Sequence, residues 1–128
     1  AEVNKRMKVM NPDFIDRFYD QGKNVIMAGG HYNNWELFAV AIDASIKHKA
    51  VAIYKPLSSL FFDKKMRESR SKYGLEMIST KKVEEEFKRD NAPLRTVIFG
   101  FDQSPRSAKK CYWSTFLNQD TAMLFGVE

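Results

Sequence analysis

The sequence predicts an α/β fold: a mostly parallel sheet with flanking helices. Two observations predict it. Short apolar runs recur at residues 24–28, 50–54, 75–78 and 96–101, the last apolar throughout, as in strands buried on both faces. Amphipathic stretches with helical spacing separate them, and strands joined by helices of that length pair in parallel through right-handed crossovers. The predicted order is βαβαβαβ.

Each element has its own local reason. Asn11, Pro12 and Asp13 start a helix, Phe14 and Phe18 lie one turn apart, and Gly22 stops it. Residues 24–28 form the first strand. Trp35, Phe38, Ile42 and Ile46 keep helical spacing, which predicts one helix from Trp35 to about Lys47 with Trp35 and Phe38 in the core. Residues 50–54 form the next strand, ended by Pro56. Ser58 or Ser59 caps a helix running to about Tyr73, with Phe62, Met66 and Tyr73 inward and Gly74 as its stop. After the strand at 75–78, Lys81 to Asp90 makes a short helix around Val83 and Phe87.

With 128 residues and 44% hydrophobic content, the chain is predicted to be one domain, residues 1–128. The single cysteine, Cys111, cannot form an internal disulfide and has no second Cys at metal-ligand spacing, which points to a reducing compartment and an inert thiol. No apolar run reaches the roughly 18 residues that cross a bilayer, and no signal peptide opens the chain. The first residue is not Met and Glu128 follows an apolar stretch, so a truncated fragment of a longer protein is expected. A net charge of +5 favours an acidic partner: nucleic acid, anionic lipid or an acidic carrier protein. His48, near a predicted helix end, reads as a charge-compatible terminus.

In open parallel sheets the ligand site lies beyond the carboxyl ends of the strands. Those ends deliver Gly29 to Asn34, then Lys55, then Ser79 and Thr80, then Asp102 and Gln103. In Gly29-Gly30-His31-Tyr32-Asn33-Asn34-Trp35-Glu36 a histidine precedes a glutamate by five positions. Five helical steps set side chains about 140° apart, so the pair is not a helical zinc motif and no metal is expected. The two meet if His31 lies in the loop and a helix begins near Asn33. Glu36 then accepts from one ring nitrogen and leaves the other as a base. Two plainer readings stay open: Asn33 with Glu36 as a capping box, and His31 as a hydrogen-bonded loop histidine.

Gly30-His31-Tyr32-Asn33-Asn34-Trp35-Glu36-Leu37 resembles the signature block of the bacterial lipid A biosynthesis acyltransferases, the late or lauroyl/myristoyl family. Tyr54-Lys55-Pro56 is similar to that family's Tyr-Arg-Pro block, Arg70 falls in the following helix, and Asp102-Gln103 follows the fourth strand. Residues 116–126 resemble the next block more loosely. The resemblance implies a partial acyltransferase catalytic domain. The reaction it implies moves an acyl group from an acyl thioester, that of acyl carrier protein or alternatively coenzyme A, to a hydroxyl of a lipid A precursor, at the cytoplasmic face of the inner membrane. It assigns His31 as base and Glu36 as its partner, with Asn34, Lys55, Arg70, Asp102 and Gln103 toward substrate. It requires no cofactor besides the acyl thioester, and no nucleic acid.

Lys55 stands where arginine is usual and cannot make the same planar two-point contact. After Asp102-Gln103, Ser104-Pro105-Arg106 lacks the second acidic residue and the glycine often found there, which suggests a shortened loop. Asp102 has a second reading, as a cap of the turn after its strand. The basic stretch from Lys64 to Lys72 would suit an acidic carrier protein, or be a solvated helix face. Two other functions are consistent with these residues: an acyltransferase acting on a glycerophospholipid or an amino-acid lipid, and a non-enzymatic basic module that binds anionic membrane or nucleic acid.

Overall fold

A computed structural model describes residues 2–89, 92–105, 107, 109 and 111–124. Its centre is a four-stranded parallel sheet made of β1 (Val25–Gly29), β2 (Lys49–Tyr54), β3 (Glu76–Ser79) and β4 (Arg95–Gly100), in the spatial order β1-β4-β2-β3. The sequence prediction of an α/β, mostly parallel architecture holds. The last strand inserts between the first two, pairing Gly29 with Gly100 on one side and Val51 with Val97 on the other. That central position explains why residues 96–99 of β4 are apolar or fully buried.

The strand period of two sorts the core into two layers. On one face Ile42, Ile46, Ala50 and Leu75 are buried with Phe38, Met77 and Ile98 packed against them. On the other, Val51, Ile78 and Val97 are buried with Ile53, Val83 and Phe99 around them. The helices are α1 (Glu2–Arg6), α2 (Asp13–Tyr19), α3 (Trp35–Ala41), α4 (Leu60–Ser71) and α5 (Val83–Phe87). Phe38 and Ile15 bring α3 and α2 to the first layer, and Val83 brings α5 to the second. Gly74 ends the α4 segment at φ +112°, a conformation only glycine adopts without strain.

Several expectations are corrected. The helix predicted from Trp35 to Lys47 stops at Ala41, and a 3₁₀ turn (Asp43–Ser45) follows. Asp43 accepts from the Ala50 amide at 2.9 Å, and Ser45 Oγ donates back to the Ala41 carbonyl at 2.9 Å, so local side-chain bonds replace the helical ladder while Ile42 and Ile46 still reach the core. In α4 the inward residue of the first turn is Asp63, not Phe62. The Asp63 carboxylate accepts from the Leu57 amide at 2.9 Å and faces the Tyr54 hydroxyl at 3.4 Å, while Phe62 and Tyr73 are exposed. In α5 Phe87 is exposed and Glu86 turns inward to the buried Arg95 guanidinium at 2.6 Å. The Asp90 end predicted for this helix lies outside the described residues.

His48 is a core residue rather than a helix terminus. It is buried, donates from Nε2 to the Lys23 carbonyl at 2.8 Å, and meets the Tyr19 ring edge-on. The sequence pattern also missed an antiparallel hairpin of β5 (Tyr112–Phe116) and β6 (Gln119–Met123). Its turn residues, Leu117 and Asn118, sit at φ 51° and 61°, and Leu-Asn lacks the glycine that ordinarily marks such a turn. Residues 125–126 of the last family-like block, and Arg106, lie outside the described residues.

Candidate active site

β1 and β4 run side by side to the same carboxyl edge, and one more hydrogen bond, from the Phe101 amide to the Gly29 carbonyl at 3.1 Å, extends their pairing past the last strand residues. Two residues beyond each strand stand His31 and Asp102, and the two side chains meet. One carboxylate oxygen of Asp102 accepts from His31 Nδ1 at 2.7 Å, and the other accepts from the His31 backbone amide at 2.7 Å. A carboxylate gripping both ring and backbone fixes the imidazole plane and puts the ring proton on Nδ1, leaving Nε2 as the acceptor. No described residue hydrogen-bonds Nε2. The bond from the imidazole, and then the one from the backbone amide, hold the Asp102 carboxyl below the usual carboxylate range.

This pairing corrects the sequence reading, in which Glu36 was the partner of His31. Glu36 makes a two-point ion pair with Arg70 instead, Nε to Oε2 at 2.9 Å and Nη2 to Oε1 at 2.5 Å. The reason is local. Asn34, not Asn33, is the N-cap of α3 and accepts from the Leu37 amide at 3.1 Å, so Glu36 is the second helical residue and neither closes a capping box nor turns back to the loop. Asn33 enters the helix at φ 54°.

Trp35 links the two pairs. Its ring meets the His31 imidazole edge-on at 4.8 Å between centroids, and the Arg70 guanidinium lies over it at 4.8 Å. The Arg70 side chain is 17% exposed, so Trp35 and Glu36 together hold a largely covered cation on the ring that also packs against the histidine. Trp35 is therefore a wall of the site more than the core residue its spacing predicted.

Two glycines stand in close approach to the pair. A Cβ on Gly100 would stand 2.8 Å from His31 Cε1, and one on Gly30 would stand 3.0 Å from Asp102 Oδ2. β4 therefore forms a floor that only a glycine leaves open to the imidazole. Of the residues singled out in the sequence, the fold brings His31, Asp102, Glu36 and Arg70 together. Asn34 is turned to capping, while Lys55 and Gln103 stand exposed beyond β2 and β4 and join no hydrogen bond among the described residues. Gly100 and Trp35 were missed as site residues.

The arrangement is a partly open base, a histidine 33% exposed with an oriented ring, packed on a tryptophan that also carries the Arg70–Glu36 ion pair. It can take a proton from a hydroxyl or hand one to a leaving group. The described residues hold no cluster of three His, Cys, Asp or Glu side chains suited to a metal, and no described helix is long and apolar enough to cross a membrane. The sequence model of a family described as bacterial lipid A biosynthesis acyltransferase matches residues 1–123. No curated protein matches the chain.

Proposed function

Since the chain belongs to the bacterial lipid A biosynthesis acyltransferase family, we propose that it moves a fatty acyl group from the thioester of acyl carrier protein to a hydroxyl of a lipid A precursor. The reaction takes place at the cytoplasmic face of the inner membrane. The observation behind this reading is the His31–Asp102 pair at the carboxyl edge of the sheet, whose imidazole is 33% exposed and whose Nε2 is bonded by no described residue.

In this reading His31 Nε2 removes the acceptor's hydroxyl proton as the oxygen attacks the thioester carbonyl. A C–O bond forms, and negative charge collects on the former carbonyl oxygen. Collapse of that intermediate breaks the C–S bond, and the proton on Nε2 passes to the departing thiolate. Asp102 stabilises the imidazolium between the two transfers. Glu36 acts at one remove, by holding Arg70 against Trp35, and Arg70 supplies positive charge near the developing oxyanion. Exposed Lys55 and Gln103 are placed to contact the acceptor or donor headgroup.

The test uses membranes containing the protein, wild type or His31→Ala, with labelled acyl carrier protein and a panel of lipid A precursors, lysophospholipids and amino-acid lipids. Transfer that vanishes in the variant supports the base, and the labelled product names the acceptor. A glycerophospholipid or amino-acid lipid product would preserve the chemistry and replace the acceptor. Equal transfer by a folded His31→Ala protein, or none by wild type, would remove the catalytic reading and favour a basic binding module.

A further inference from the structure

The first turn of α4 exposes large apolar side chains in a way the site does not use. Leu60 is 86% exposed, Phe61 64%, Phe62 63% and Leu57, just before the helix, 45%. At about 100° per residue, Leu60, Phe61 and Phe62 spread over roughly 200° of the helix circumference. The apolar surface is thus a convex cap around the helix end, not a stripe aimed at a neighbouring helix. We propose that this tip inserts into the surface of an anionic lipid bilayer, with Lys64 and Lys65 at headgroup level.

Three features support that occupant. The inward residue of the same turn, Asp63, grips the Leu57 amide at 2.9 Å, so Leu57 and the tip are held together and little order has to be gained on insertion. Lys64 and Lys65 follow one turn behind, their side chains 77% and 60% exposed, and a rise of about 1.5 Å per residue sets them roughly 6 Å behind Leu60 and Phe61. Interfacial segments seat their apolar groups about 5–10 Å deep, which leaves those ammonium groups among the lipid phosphates. Both lysines share a single carboxylate, Glu68, at 3.9 and 3.1 Å, so this collar keeps a net positive charge. An acidic carrier protein would satisfy the lysines but leave a convex apolar cap largely wet, whereas a bilayer accepts both.

Arg70 lies ten residues along the same helix, about 15 Å down its axis. With the headgroups level with Lys64 and Lys65, a tip inserted along the helix axis would hold Arg70 roughly 8–9 Å from them, suited to an acceptor drawn partly out of the lipid. The proposal does not depend on the acyl-transfer reading.

The experiment is co-sedimentation of the full chain with vesicles of phosphatidylcholine alone or mixed with phosphatidylglycerol. Wild type should bind the anionic vesicles at least about tenfold more tightly. Phe61→Glu with Phe62→Glu should weaken that binding about 30-fold, Phe61→Leu with Phe62→Leu should largely keep it, and Lys64→Glu with Lys65→Glu should lose about tenfold on anionic vesicles. Lys5→Glu with Lys88→Glu makes the same charge change elsewhere and should have less than about a threefold effect. His31→Ala should bind like wild type, so failure here and failure of the catalytic reading are separable. Circular dichroism shows that each variant folds. Binding by folded tip variants equal to wild type, an equal loss in the control, or capture of acyl carrier protein through the phenylalanine pair without vesicle binding would overturn the proposal.

Discussion

Replacing Gly100 by alanine sets a methyl carbon 2.8 Å from His31 Cε1, where ordinary contact begins at 3.4 Å. The backbone there is not in the left-handed region, so alanine itself is unstrained, and the clash must be relieved by the imidazole. The ring has to move by roughly half an ångström or more, and it can do so because it is 33% exposed. That movement lengthens or misaligns the 2.7 Å bond between Nδ1 and Asp102 and re-aims Nε2. Displacement of a catalytic group by about 1 Å can cost a hundredfold in rate, so kcat should fall about 10- to 100-fold, with little change in KM and in the thermal midpoint. The assay is acyl transfer from labelled acyl carrier protein, run beside a melting curve. A folded Gly100→Ala protein whose kcat lies within threefold of wild type would refute the idea that β4 positions the ring.

The other expectations follow from the same contacts. Asp102→Asn keeps the shape but not the charge that stabilises an imidazolium, and kcat should fall by about 100-fold or more at unchanged KM, measured by the same transfer assay. Arg70→Lys cannot keep both bonds to Glu36 and the stacking on Trp35, and about a tenfold loss of activity is expected, with unchanged rates counting against a role for the cation. Glu86→Gln should lower stability by about 1–3 kcal/mol in denaturant titration, because it strips the buried Arg95 of its nearest charge among the described residues and leaves Glu76 at 3.8 Å. Hydrogen bonds from Arg95 and then Arg89 hold the Glu86 carboxyl below the ordinary glutamate range. In the window between that range and the depressed value the unfolded chain binds more protons than the native one, so this stability is present above the window and lost as pH falls through it. Glu86→Gln should therefore show a shallower acid limb than wild type.

The fold was legible because each strand announced itself locally. Val25 to Gly29 and Thr96 to Phe99 are too apolar for a surface segment, and the positive-φ glycines at 22 and 74 stop chains where the sequence predicted stops. The errors occurred where a side chain bonded the backbone in place of the expected pattern. Asp43 broke a helix whose apolar spacing was intact, and Asp63 turned inward at the position next to a phenylalanine. Periodicity weighs the hydrophobicity of a face and does not register that a buried carboxylate with two partners satisfies it.

The site was legible as a set of residues but not as a set of pairs. His31, Glu36, Arg70 and Asp102 were all named from the ends of strands and from the family-like blocks, yet the partner of His31 was misassigned. Pairing depends on strand order, and sequence order suggests β1 beside β2, whereas β4 occupies that place. Once β4 is next to β1, with Gly29 level with Gly100, Asp102 has to emerge beside His31, because each lies two residues past the last paired position. Glu36 is then left on the helix, within reach of a cation that arrives from α4. Gly100 follows from the same adjacency: a residue on a neighbouring strand, far from His31 in sequence, has the imidazole lying against it. The insertion of β4 between β1 and β2 is therefore the step that converts two separate loops into a base and its orienting acid, and it is a non-local choice that no window of sequence contains.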